Sequence, residues 1–93
     1  MIQSFRCKET AKIFGGCYSK KLPADIQQRA LNKLRLIATV TQLETLRVPP
    51  SNHLEALTGD RKGQHSIRIN NQWRICFHWK DGNAHDAEIV DYH

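Results

Sequence analysis

Ninety-three residues, 40% of them hydrophobic and 25% charged, make one domain, residues 1–93, and leave no length for a second. A core of this size covers roughly 60–65% of the unfolded surface. The three cysteines are odd in number and form no C-x-x-C pair, which argues against a disulfide framework or a zinc knuckle. No stretch has the apolar length of a secretory signal or a membrane span, so a cytoplasmic protein is expected.

The net charge of +5 calls for an anionic partner, either nucleic acid or an acidic protein. It is unevenly spread. Residues 1–35 hold eight basic and two acidic groups, a balance of +6, whereas residues 36–93 hold six and seven. Taken alone, that contrast reads first as a solvated helical face rich in Lys and Arg; it also says where an acidic partner could dock, and nothing about chemistry.

In chain order, Ile2–Phe5 reads as a short strand and Cys7–Phe14 as a short helix stopped by Gly15-Gly16. A long helix is expected from about Pro23 to Val40. Pro23 suits its first turn, Asp25 complements the dipole, and Ile26, Ala30, Leu34, Ile37 and Ala38 form its buried stripe. Arg29 and Lys33 belong to the opposite, basic face. Gln42–Leu46 adds a turn that Val48-Pro49-Pro50 ends.

From His53 the period changes to two. His53–Leu57 is expected as a strand, Gly59–Gly63 as a turn, and Gln64–Ile69 as a second strand with His65, Ile67 and Ile69 on one face. After a turn at Asn70-Asn71-Gln72, the residues Trp73, Ile75, Phe77 and Trp79 form an apolar stripe with Arg74, Cys76 and His78 on its reverse. That stripe is read as core rather than as a base-stacking platform. Asp81-Gly82 signals a hairpin and Ala84–Val90 the last strand. Helices first and strands afterwards give an α+β fold, with the N-terminal helices packed on one face of an antiparallel sheet.

The other face of that sheet carries the chemistry. Arg68 and Arg74 lie on facing strands of one hairpin and point the same way, a fork suited to phosphate oxygens. Arg61 and Lys62 sit in a loop with two glycines, where backbone N–H groups can also approach an anion. The five histidines show no metal-ligand spacing, and no metal or other cofactor is expected. Asp91, Tyr92 and His93 bring a carboxylate, a phenol and an imidazole to the end of the last strand, beside the arginine face. With the tryptophans committed to the core, no long groove for single-stranded RNA is foreseen.

The pattern L-x-x-L-x-GDR-x-G-x-x-SIRI-x-x-x-WRI-x-F-x-W, followed by a terminal VDYH, resembles the HigB toxins of bacterial type II toxin–antitoxin systems, within the RelE-like superfamily. The likeness extends to the opening IQSF and the LPADIQQRALNKL helix, and so covers nearly the whole chain. It implies a microbial-ribonuclease fold and cleavage of mRNA on the translating ribosome. It also implies a HigA-type helix-turn-helix antitoxin as partner, with operator DNA reached only through that antitoxin and no membrane involved.

By position, the resemblance makes Arg74 the group that binds phosphate and stabilises the transition state. It places Asp91, Tyr92 and His93 in the family's terminal catalytic cluster. Some relatives carry a histidine and a lysine just ahead of GDR; here Glu55 and Thr58 stand in their place. A chain that has lost that lysine could instead be a non-catalytic module that only binds RNA or antitoxin. Growth arrest on expression without antitoxin separates the two readings.

Overall fold

The computed structural model describes residues 1–91; Tyr92 and His93, two of the expected catalytic group, lie outside the described residues. Its elements run α1 (Lys8–Phe14), α2 (Ala24–Thr39), β1 (Glu55–Ala56), β2 (Gln64–Arg68), β3 (Trp73–Lys80) and β4 (Asn83–Asp91). Short 3₁₀ turns occupy Leu43–Arg47, Pro50–Asn52 and Gly59–Arg61. The four strands form one antiparallel sheet in sequence order. Two helices on one face of an antiparallel sheet is the α+β architecture expected.

Period-two alternation builds the core. Ile67, Ile69, Ile75, Phe77, Ala87 and Ile89 leave one side of the sheet and meet Ile26, Ala30, Leu34 and Ile37 of α2. Ile75 and Phe77 are fully buried, while Trp73 and Trp79 close the two ends of the stripe half-buried. The tryptophans are core residues, as the alternation indicates. Asp81 (φ 53°) and Gly82 (φ 78°) both adopt the left-handed conformation that a tight two-residue hairpin demands.

Three elements depart from expectation. Ile2 and Phe5 do not make a regular strand: each forms one isolated parallel bridge to β4, at Ala84 and Ala87. The expected strand His53–Leu57 shrinks to Glu55–Ala56, because the Pro50–Asn52 turn forces His53 into the left-handed region (φ 45°) before pairing can begin. The turn after α2 is 3₁₀ and is detached from the helix, since Val40 and Gln42 are both extended.

Side-chain hydrogen bonds fix the helices to each other and to the sheet. The buried Ser19 hydroxyl donates to Glu9 Oε1 at 2.6 Å, and Gln27 Nε2 donates to the carbonyls of Ser19 and Leu22 at 2.7 and 2.9 Å. This knot ties α1, the loop after it and the first turns of α2 together. The Ile89 N–H donates to Thr10 Oγ1 at 3.0 Å and docks α1 on β4.

In β4, Asp86 (φ 54°) and Ala87 together stand opposite Phe77, a bulge whose Asp86 N–H donates to Ser4 Oγ at 2.9 Å. One extra residue reverses the alternation beyond it. Ala87 and Ile89 therefore face the core, and Asp91, paired with Trp73, follows them to that side.

His65 is half-buried against Phe77, and its Nδ1 is buried with no hydrogen-bond partner among the described residues. Burial pushes its imidazole pKa below the usual 6.5; Glu44 opposes this, and Arg47 and His78 add to it. The unfolded chain therefore takes up this proton at a higher pH than the folded one does. Stability should fall as the pH drops through about 6.5. In His65→Phe, urea titrations between pH 5 and 7 should show a smaller loss, and an unchanged loss would remove His65 as its source.

Candidate active site

Arg74 is the centre of the far face. It leaves β3 opposite the core stripe and is only 7% exposed, so its charge must be answered by fixed partners. Its Nε donates to the fully buried Ser66 Oγ at 2.8 Å, one Nη donates to the His53 carbonyl at 2.6 Å, and the other lies 3.5 Å from Glu55 Oε1. Ser66 comes from β2 and Glu55 from β1, and the left-handed turn of His53 accompanies the carbonyl that Arg74 meets. A guanidinium held by three chain segments in this way is oriented before any ligand arrives.

Arg74 borders an open cleft of about 470 Å³ whose other walls are His53, Glu55, Arg68, Asn70 and Asn71. Arg68 and Arg74 are direct cross-strand partners, as the hairpin reading requires. Asn70 shapes the turn between them: its Oδ1 accepts from the N–H groups of Gln72 and Trp73, both at 2.8 Å.

The other expected residues are distributed around this centre. Arg61 Nη1 lies 3.2 Å from Glu88 Oε1 and donates to Gln64 Oε1 at 3.2 Å, an ion pair over the far face of the sheet. It borders a neighbouring cleft of about 220 Å³ that shares Glu55 with the first. Lys62 is exposed just beyond, at a turn closed by Gly63 (φ 96°). By register Asp91 leaves the sheet on the side away from the arginines. The β4 bulge puts it on the Trp73 side of the sheet, where its carboxylate accepts from Gln72 Nε2 at 3.1 Å.

Two residues gain importance only here. Glu55, read from the sequence as a substitution, is the carboxylate that meets Arg74 in the cleft. His53, read as one scattered histidine among five, lines the same cleft. The EALTGDR spacing holds the first signal, but β1 is too short for alternation to show which way Glu55 points. Among the described residues no group of three or more His, Cys, Asp or Glu is arranged to hold a metal ion.

The HigB-like toxin family, described as the RelE-like toxin of the type II toxin–antitoxin system HigB, matches residues 3–93. The chain belongs to this family. It is 33% identical over 93 residues to the endoribonuclease HigB of Proteus vulgaris, covering all of both chains. It is 40% identical over 63 residues to toxin HigB-1 of Vibrio cholerae, which is 68% of this chain and 66% of that one.

In fold it is similar to a mutant of YafQ from E. coli, with TM-score 0.63, 12% identity, and 98% and 93% of the two chains covered. It is likewise similar to a chain of the YoeB–YefM toxin–antitoxin complex from Staphylococcus aureus, with TM-score 0.54, 18% identity, and 100% and 98% covered. The resemblance carried by the GDR, WRI and DYH blocks therefore stands, and with it the RelE-like sandwich.

Ser66 is a positioning residue for Arg74. Ser66→Ala would strand the buried Nε–H, at a cost of about 1–3 kcal/mol. Urea unfolding should show that loss, and wild-type stability would mean Arg74 does not depend on this bond.

Proposed function

We propose that this HigB-family toxin is a metal-independent endoribonuclease that cuts mRNA on the ribosome, with the cleft around Arg74 as its active site. The observation that carries the reading is the buried, pre-oriented Arg74 guanidinium opening onto a polar cleft beside Arg68. It acts in the cytoplasm, where translating ribosomes are found. Its partner is a HigA-type helix-turn-helix antitoxin, through which alone it meets operator DNA.

RNA brings its own nucleophile. The 2′-hydroxyl attacks the adjacent phosphorus, the P–O5′ bond breaks, and the products are a 2′,3′-cyclic phosphate and a 5′-hydroxyl. The protein must align the two oxygens, take the 2′ proton, balance the charge of the phosphorane and return a proton to the leaving oxygen. Arg74 answers the charge, because a guanidinium stays cationic and offers a planar fork, and Arg68 assists from the facing strand. Arg61 and Lys62 guide the strand further out.

Glu55, a carboxylate already within the cleft, takes the 2′ proton. With Glu55 as base, His93 of the family's terminal cluster returns a proton to the 5′-oxygen, a task its imidazole suits, and Tyr92 stacks on a base or orients the chain. Asp91, held by Gln72, anchors the strand end from which those two residues follow.

Two of the arginines already have carboxylate partners, Arg74 with Glu55 and Arg61 with Glu88. That pairing favours a second reading, a module that binds without cutting. Expression without antitoxin separates them: growth arrest belongs to the nuclease, and unimpaired growth to the module.

Removing a pre-oriented cation costs roughly 10²–10³ in rate. Arg74→Ala should be less stable but still folded, and should lose toxicity to that degree; full toxicity in a well-expressed variant would dismiss the assignment. Glu55→Gln divides its two roles: a lost base lowers cleavage by about 10² or more, whereas a lost shield frees Arg74 and raises it.

Alignment on the ribosome is worth up to about 7–11 kcal/mol in favourable cases. The same mRNA should therefore be cut on programmed ribosomes and hardly at all when free, with chelator present throughout. Equal rates would overturn ribosome dependence, and cleavage abolished by chelator alone would overturn the metal-free scheme.

A further inference from the structure

The groove continues past Arg68. On the far side of the Asn70–Asn71 turn lies a second cleft of about 300 Å³, walled by Arg29 and Lys33 of α2, Ser51, and the same Arg68, Asn70 and Asn71 that border the Arg74 cleft. The helix face that the sequence marks for an acidic partner thus stands beside the candidate active site.

Its cations are left unneutralised. Lys12, Arg47, Arg61 and Arg74 each have a carboxylate within 4.0 Å, but among the described residues Arg29, Lys33 and Arg68 have none. Arg29 and Lys33 are four apart on one helix, an arrangement of like charges that is unfavourable without a counter-ion. Burial first, and Arg29 second, push the Lys33 ammonium pKa down.

Lys33 is nevertheless fixed in place. Its Nζ donates to Asn52 Oδ1, and the fully buried Asn52 is pinned by donating its own amide to the carbonyls of Leu46 and Val48 at 3.1 and 3.3 Å. Three unpaired cations around a small polar cleft, one of them anchored through a buried side chain, suit a phosphate group.

We propose that Arg29, Lys33 and Arg68 form a second phosphate subsite, which holds the backbone phosphate next to the one cleaved. The inference rests on the reading that Arg74 holds the reacting phosphate. Single-stranded RNA carries one phosphate per nucleotide, so a strand seated at Arg74 must place a neighbouring phosphate close by. The shared wall of Arg68, Asn70 and Asn71 makes the two clefts one path. An acidic segment of the antitoxin has no comparable reason to be continuous with Arg74.

The test uses the full chain and a 2′-O-methyl hexanucleotide, which lacks the free hydroxyl needed for cleavage. Its affinity is measured by fluorescence anisotropy over a range of salt concentrations. The double variant Arg29→Gln/Lys33→Gln should bind about tenfold more weakly at low salt, and its log–log salt slope should be shallower by about 0.7 for each phosphate no longer neutralised. Arg29→Gln alone should show part of both effects, and Lys33→Arg should retain wild-type behaviour, which guards against a folding defect.

Wild-type affinity and slope in the double variant overturn the subsite. So does a double variant that binds antitoxin more weakly while its RNA slope stays unchanged, since the cleft then serves the acidic partner. Arg74→Ala distinguishes this failure from that of the active-site reading. Cleavage abolished in Arg74→Ala with an unchanged slope in the double variant removes the subsite alone. Cleavage retained in Arg74→Ala with a shallower slope in the double variant removes the active-site reading, and the phosphate site stands.

Discussion

A guanidinium buried in a thin sheet is the constraint around which the far side of this molecule is arranged. Arg74 is 7% exposed, and a cation so withdrawn from water must be met by oriented partners or the fold loses stability. Among the described residues those partners include Ser66 on β2, Glu55 on β1, and the His53 carbonyl that follows the Pro50–Asn52 turn. Holding Arg74 therefore also holds the two-residue β1 strand and the connection that leads into it. The same contacts that answer the buried charge also orient the guanidinium at the edge of the cleft.

The helical layer contributes position rather than chemistry to that centre. The Glu9–Ser19–Gln27 knot fixes α2 against α1, and Thr10 docks α1 on the β4 backbone. Asn52, buried between the 3₁₀ turns, reaches across to Lys33. Through these contacts the basic face of α2 lies along the end of the sheet, and three clefts adjoin in a row. Glu55 is the wall shared by the first pair and Arg68 by the second. The sequence foresees no such groove, because it is built from loop ends and one helix face that are far apart in the chain.

The Glu55–Arg74 pair carries the tension in this site. A carboxylate beside Arg74 would lower the field felt by an incoming phosphate, yet it would also offer a proton acceptor next to that phosphate. Which effect would dominate depends on how far water is excluded from the cleft, since Coulomb interactions strengthen as the local dielectric falls. A half-exposed glutamate is poised for either outcome, and this pairing separates the chain from relatives with a histidine and a lysine ahead of GDR.

Alternation along β2 and β3 by itself determined the core stripe, the common face of Arg68 and Arg74, and the Asp81-Gly82 hairpin, because period two and turn chemistry are local properties of the backbone. The GDR, WRI and DYH blocks likewise sufficed for the family. Only the tertiary structure decided which side of the sheet Asp91 takes: an unbroken count from Ala84 would put it with the arginines, and one extra residue at the Asp86 bulge reverses that. Only packing could pair Glu55 with Arg74, bring Lys33 to Asn52, and set the α2 cations beside Arg68. Each of these joins residues at least 19 positions apart. Charge pairing at that range follows from where the elements dock, which no local pattern encodes.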